Sequence, residues 1–184
     1  MLKKIWGFVK NPVYANYSKG SSRYKNRIFF SSLFWCLAIG IVLTMCTGLI
    51  THFFSMELGE HATEELFDKS IFLIFILVSI AAPVIEETLF RGPLVFFKNS
   101  PYFKYAFYIS AILFGVIHIS NFEFNPQVLL LAPLLVAPQI VIGVFLGYIR
   151  VKLGLLWSIL LHAAYNTVLF LPMLFARLLD IPIE

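Results

Sequence analysis

Five stretches of the chain carry no charged residue: 28–56, 70–85, 105–122, 124–149 and 153–176. A membrane-spanning helix needs about 20 mainly apolar residues, with a range of about 17–25. The first, fourth and fifth stretches meet this outright, and the third is just long enough. The second meets it only if its helix continues through Glu86, Glu87 and Arg91 toward Phe97. The pattern predicts an all-α, polytopic membrane helix bundle of about five transmembrane helices. No separate soluble domain, repeat or low-complexity linker is visible. The expected organisation is a basic cytoplasmic N-terminal segment over 1–27, then a membrane domain over 28–184. The run from Ile28 is too long for a typical secretory signal and lacks a clear cleavage site, so it is expected to remain a span.

Composition supports lipid as the solvent. Apolar residues make up 60% of the 184 and charged residues 13%, against about 25% charged in soluble domains. Cys36 and Cys46 share one apolar stretch and are read as small fillers, not a disulfide. The net charge of +4 does not call for nucleic acid as a partner. Seven of the fourteen basic residues precede Ile28, which suggests a segment lying against anionic headgroups, with membrane lipid as its partner. Orientation follows from the flanking Lys and Arg. With five spans, those seven share one side with Lys98, Lys104, Arg150 and Lys152, while the other side carries only Lys69 and Arg177. A cytoplasmic N-terminus and a C-terminus on the far side are expected.

Against this background a few polar residues stand out. A charge at the bilayer centre costs at least about 2.5–3.5 kcal/mol on insertion scales. Glu87 and Arg91 are four apart, neighbours on one helix face, and can pair. Glu86 points about 100° away and has no local partner. The bland alternative puts all three at the interface, with Arg91 snorkelling to headgroups. Two more segments weigh against it. His118 follows Phe114 by four, and His162 precedes Asn166 by four on one face of the fifth helix. At about 1.5 Å per residue from the cytoplasmic end of each helix, Glu86 lies ~16 Å deep, His118 ~20 Å, His162 ~12 Å and Asn166 ~18 Å. These depths let the groups meet near the midplane. The Gly92-Pro93 pair is a helix-breaking signal that would move Glu86 nearer the cytoplasmic surface.

A carboxylate beside an imidazole, shielded from bulk water, is a general-base arrangement. Glu86 is expected to take a proton from water held by His118, and His162 and Asn166 to stabilise the oxyanion formed on a carbonyl. That is peptide hydrolysis without a covalent intermediate. Other hydrolase signatures are missing. HATEE at 61–65 is only superficially a zinc motif, there is no G-x-S-x-G, and no spanning segment contains Asp. KGSS at 19–22 lacks the spacing of a P-loop.

Glu86-Glu87-x-x-x-Arg91, Phe114-x-x-x-His118 and His162-x-x-x-Asn166, in that order, resemble the CAAX-protease and bacteriocin-processing family. This is the type II CAAX prenyl endopeptidase or Abi group. The resemblance covers about 70–175 and implies an integral membrane endopeptidase. It implies Glu86 as base with His118, His162 and Asn166 at the oxyanion site, and Glu87 and Arg91 in structural or substrate-orienting roles. Many members of the family carry the label metalloprotease. Glu86, His118 and His162 are chemically able to bind zinc with an open position, but spacing cannot decide this, and no metal cofactor is the preferred reading. The short chain favours a prokaryotic cell-membrane protein whose substrate is a peptide or membrane-protein segment. Two alternatives belong to other classes: a non-catalytic immunity or scaffold protein of the same family, and a proton-coupled transporter using the Glu/His cluster as a relay. Five spans without a visible inverted repeat count against the transporter. Pro133, Pro138 and Pro172 are expected to kink their helices, and the acidic stretch 57–68 to form a short surface helix.

Overall fold

A computed structural model describes residues 1–16, 19–56, 58–59 and 69–179. The acidic stretch 57–68 lies outside the described residues apart from 58–59, as do Asp180 and Glu184. Eight α-helices form among the described residues, and no strand: α1 (Leu2–Lys10), α2 (Ser22–Phe53), α3 (Ile71–Ile76), α4 (Ala82–Phe90), α5 (Phe103–Ile117), α6 (Pro126–Leu135), α7 (Ala137–Leu153) and α8 (Leu155–Leu178). They group into five candidate spans: Ser22–Phe53, Ile71–Phe97, Phe103–Asn121, Pro126–Leu153 and Leu155–Leu178. The chain is a multi-pass integral membrane protein with the all-α architecture the apolar blocks predict.

Local sequence explains where helices start and break. Ser21 caps α2, its side chain accepting from the Tyr24 N–H at 3.3 Å. The helix therefore begins six residues before Ile28 and takes in Arg23, Lys25 and Arg27. Phe30, Phe34, Val42, Met45, Leu49 and Phe53 of α2 are exposed, a surface suited to acyl chains and not to water. Asn125 caps α6, accepting from the Val128 N–H at 2.8 Å. The fourth span breaks at Val136, between Pro133 inside α6 and Pro138 in the first turn of α7. Proline lacks the N–H that would continue the ladder. Pro172, by contrast, lies within an unbroken α8. Gly154 separates α7 from α8 with φ 106°, a backbone setting glycine adopts without a Cβ clash.

The second span is irregular in a way that matters for the site. A π-helical segment, Leu77–Ala81, interrupts it between α3 and α4. The helix then ends at Phe90, and the chain continues as a 3₁₀ segment, Gly92–Phe97. The Gly92-Pro93 signal thus ends the helix at Phe90, with Arg91 as its C-cap, and a single α-helix running to Phe97 does not form.

Helix α7 is the central element, packed on α5, α2 and α8. From Ile142 to Val151 almost every side chain is buried, as expected of a helix surrounded by others. Gly143 and Gly147 let α5 come close. A Cβ on Gly147 would sit 2.7 Å from Phe107 Cε2, and one on Gly143 would sit 3.0 Å from the Ala111 carbonyl. Small residues four apart are a common way for membrane helices to approach.

The N-terminal segment is anchored to the bundle. Ile5 and Phe8 of α1 are buried, and the Phe8 ring stacks edge-on against Phe107 and Tyr148, with centroids 5.1 and 5.3 Å away. Tyr108 donates its hydroxyl to the Val9 carbonyl at 2.6 Å. Trp6 and the α1 lysines face outward. The segment over 1–27 is therefore partly a membrane-domain element and not only a headgroup-bound tail.

Candidate active site

Glu86 and Glu87 are consecutive on α4 and sit in different environments. The Glu87 side chain is wholly buried, while that of Glu86 is 27% exposed. The cause is helical geometry: adjacent residues point about 100° apart, so one faces the bundle and the other its margin. Arg91 lies one turn on. Its Nη1 is 3.0 Å from Glu87 Oε1, and it is as buried as its partner. It does not snorkel. Its Nη2 donates to the Gly143 carbonyl at 3.3 Å, and its guanidinium lies 3.9 Å above the centre of the Phe114 ring. A buried charge pair of this kind is helped by further polar contacts; Arg91 has one, through Nη2, while its Nε has no hydrogen-bond partner among the described residues.

Two residues of α8 complete the surroundings of Glu87. Ser158 donates to Glu87 Oε2. Its Oγ also lies 3.0 Å from the Leu146 carbonyl, so one hydroxyl proton serves two acceptors. His162 places Nδ1 3.2 Å from Glu87 Oε1. An ionised carboxylate only accepts, so the Nδ1 proton is assigned from that contact. The other ring nitrogen, Nε2, then faces Glu86, 3.9 Å from Oε2. His162 is buried and bridges the two glutamates. Glu86 Oε2 is itself inaccessible and has no hydrogen-bond partner among the described residues.

His118 reaches the same region through Phe114. It is the first residue of a 3₁₀ turn, His118–Asn121, at the end of α5. Its Nδ1 lies 2.7 Å from the Phe114 carbonyl, its natural acceptor, which leaves Nε2 as the remaining polar atom. The Phe114 ring is in contact with both imidazoles, with centroids 4.9 Å from His118 and 5.5 Å from His162. Asn166 donates from Nδ2 to the Val78 carbonyl at 2.9 Å, joining α8 to the π-helical segment. One amide proton is thereby used and a second is left for other work.

The predicted site residues are therefore brought together unequally. Glu86, Glu87, Arg91 and His162 form one contiguous cluster, His118 joins it across Phe114, and Asn166 lies one turn beyond His162 on α8. No hydrogen bond or ion pair joins Glu86 to His118 among the described residues. The imidazole nearest Glu86 is His162. Nor do three His, Cys, Asp or Glu side chains among the described residues group so as to hold a metal ion. As placed, Glu86, His118 and His162 do not fit a three-ligand zinc site.

Sequence reasoning missed two participants. Ser158, His162 and Asn166 are spaced by four, so they share one face of α8, and that spacing was a usable signal. Arg150 was read as a flanking charge. It is buried, and its Nε donates to the Arg91 carbonyl at 2.9 Å, at the C-terminal end of α4. A guanidinium there gives a second, closer donor to a carbonyl that also accepts from the Leu94 N–H at 3.3 Å, and it complements the helix dipole. Nothing in the local pattern around Arg150 separates this from an interfacial arginine.

This fold and cluster define a class: a polytopic membrane protein in which charged and imidazole side chains from separate helices converge inside the bundle. Residues 68–168 match the family model described as type II CAAX prenyl endopeptidase Rce1-like. The match takes in more than half of the chain and all six predicted site residues, and the chain belongs to that family. The chain is also similar to the UPF0177 protein YaiF of Lactococcus lactis subsp. lactis (strain IL1403), 36% identical over 97 residues. Those residues are 52% of this chain and 38% of YaiF, so the match spans well under two thirds of that relative. No solved structure matches the chain.

Proposed function

We propose that this protein is an intramembrane endopeptidase that hydrolyses a peptide bond with a water activated by Glu86. One observation carries the reading. His162 gives its Nδ1 proton to buried Glu87, and this turns Nε2 toward Glu86 at 3.9 Å. That spacing suits a carboxylate and an imidazole sharing one water at ~2.8 Å from each; Oε2 is covered as placed, so the part-exposed Glu86 side chain turns slightly to admit it.

Glu86 takes a proton from that water as its oxygen bonds to the scissile carbonyl carbon. Negative charge develops on the carbonyl oxygen. The free N–H of Asn166 is a donor suited to that charge, joined by His162 Nε2 only when that ring carries a proton on both nitrogens, and His118 holds the water by accepting from it with Nε2. The carbon–nitrogen bond then breaks, and the proton on Glu86 passes to the departing amine. Glu87 and Arg91 do not touch the substrate. Glu87 fixes the His162 ring, and Arg91 balances the charge of Glu87. Every step is carried by side chains, with no metal.

The substrate class is a peptide or membrane-protein segment that enters the bundle from the cytoplasmic half. The N-terminus is cytoplasmic in this reading, as the distribution of Lys and Arg favours. Cleavage of a peptide library by the purified protein in liposomes tests the activity. Products seen with the wild type and lost with Glu86→Gln support it. Equal products from both proteins would remove Glu86 as the base.

A further inference from the structure

A second polar site lies away from the Glu/His cluster, where α1 meets the ends of α2 and α7. A cavity of about 390 Å³ opens there, lined by Lys4 and Phe8 of α1, Asn11, Tyr24 of α2, and Tyr148 and Lys152 of α7, with Val13 and Ala15 closing it. A second cavity, of about 300 Å³, lies across the Asn11–Val13 turn, with Lys98, Lys104, Ser100 and Tyr14 among its lining residues. No carboxylate lines either one among the described residues. Two lysines from separate elements thus converge on each, accompanied by hydroxyl and amide groups.

The location narrows the ligand. The start of α2, the end of the Ile71–Phe97 span, the start of α5 and the end of α7 belong to one face of the bundle, because consecutive spans alternate in direction. The cavities open at that face, beside the ends of the candidate spans. Trp6 is 61% exposed on α1 beside the first cavity, as an interfacial anchor would be. Lys152 is oriented by two rings, with Nζ 5.3 Å from the Phe8 centroid and 5.9 Å from that of Tyr148. A lysine held on two ring faces presents a fixed positive charge.

We infer that the larger cavity binds the phosphate of an anionic phospholipid headgroup, held between Lys4 and Lys152. Such a lipid fastens α1 to α7. The second cavity adds positive potential beside it, and the lipid's acyl chains continue along the apolar flank of the bundle. The site is independent of the proteolytic reading.

The test uses the full chain purified in neutral detergent, titrated with phosphatidylglycerol, phosphatidylcholine or inorganic phosphate, with bound lipid counted by native mass spectrometry. The wild type is expected to prefer phosphatidylglycerol by about tenfold or more, on the scale of two lysines near an anionic surface. Lys4→Gln with Lys152→Gln is expected to lose that preference. Lys69→Gln with Arg177→Gln, which removes the same charge elsewhere, is expected to keep it. Lys4→Gln alone changes an exposed residue and is expected to lose part of it, so the test stays readable if the Lys152 change impairs folding. An unchanged preference in the Lys4/Lys152 variant would overturn the inference. Displacement of the lipid by millimolar inorganic phosphate would also overturn it, by assigning the cavity to a free anion.

Discussion

His162 Nδ1 lies 3.2 Å from Glu87 Oε1, across a contact between residues 75 positions apart. That contact helps set two adjacent glutamates in different surroundings. Glu87 is engaged by Arg91, Ser158 and His162, and Glu86 keeps a carboxylate oxygen without a hydrogen-bond partner among the described residues. Several expected outcomes depend on this division.

Removing the charge of Glu87 leaves Arg91 buried and unpaired. Breaking a buried pair costs about 3–5 kcal/mol. Glu87→Gln is expected to unfold at a correspondingly lower temperature or denaturant concentration. Glu87→Leu combined with Arg91→Met is expected to lose less than the two single changes together. A thermal melt of the purified protein, compared across the four variants, measures the coupling.

Ser158→Ala removes a hydrogen bond to a charged group, worth about 1.5–3 kcal/mol. If Glu87 aims His162, turnover is expected to fall by about tenfold, equivalent to ~1.4 kcal/mol on the barrier, with KM little changed. Ser158→Thr keeps the hydroxyl and is expected to restore most of it. A fall in stability with no change in turnover would confine Ser158 to packing.

Close helix approach makes a separate prediction. A Cβ on Gly40 would meet the Tyr165 hydroxyl oxygen at 2.5 Å and Cζ at 3.5 Å. Gly40→Ala is expected to cost about 1–3 kcal/mol, the usual penalty of overpacking. Tyr165→Phe removes the nearer atom and is expected to recover much of that loss. A double-mutant cycle on the melting transition reads it out.

Metal removal separates two chemistries. With no ligand triad among the described residues, incubation with a chelator is expected to leave cleavage unchanged. Loss of activity on chelation, restored by added zinc, would assign the water to a metal.

Much of the fold was legible because lipid imposes a coarse rule. A span must be long and uncharged, and five such blocks can be counted directly. The Glu87–Arg91 pair was legible for a similar reason, since a four-residue spacing on a helix sets neighbours without any tertiary knowledge. The end of α4 at Phe90 was signalled by Gly92-Pro93. Less could be read where the answer depends on which helix packs on which. The sequence assigns His118 to Glu86, yet the nearer imidazole is His162, because α8 and not the end of α5 lies against that side of α4. The π-helical segment at Leu77–Ala81 left no mark in a run of apolar residues, although Asn166 is bound to it. Arg150 was misread because a basic residue near the end of a span looks the same whether it faces headgroups or turns inward to a helix terminus. The packing of α1 was not visible either, since the seven basic residues before Ile28 suggested lipid and concealed the buried pair Ile5 and Phe8.

The most direct measurement of the central claim follows two properties of the two neighbouring glutamates side by side, in the purified, lipid-reconstituted protein. Peptide cleavage and the melting temperature are recorded for Glu86→Gln and Glu87→Gln. The account predicts that Glu86→Gln melts like the wild type and cleaves about 10²–10⁴-fold more slowly, whereas Glu87→Gln melts markedly lower. Normal cleavage by a stable Glu86→Gln protein would contradict it.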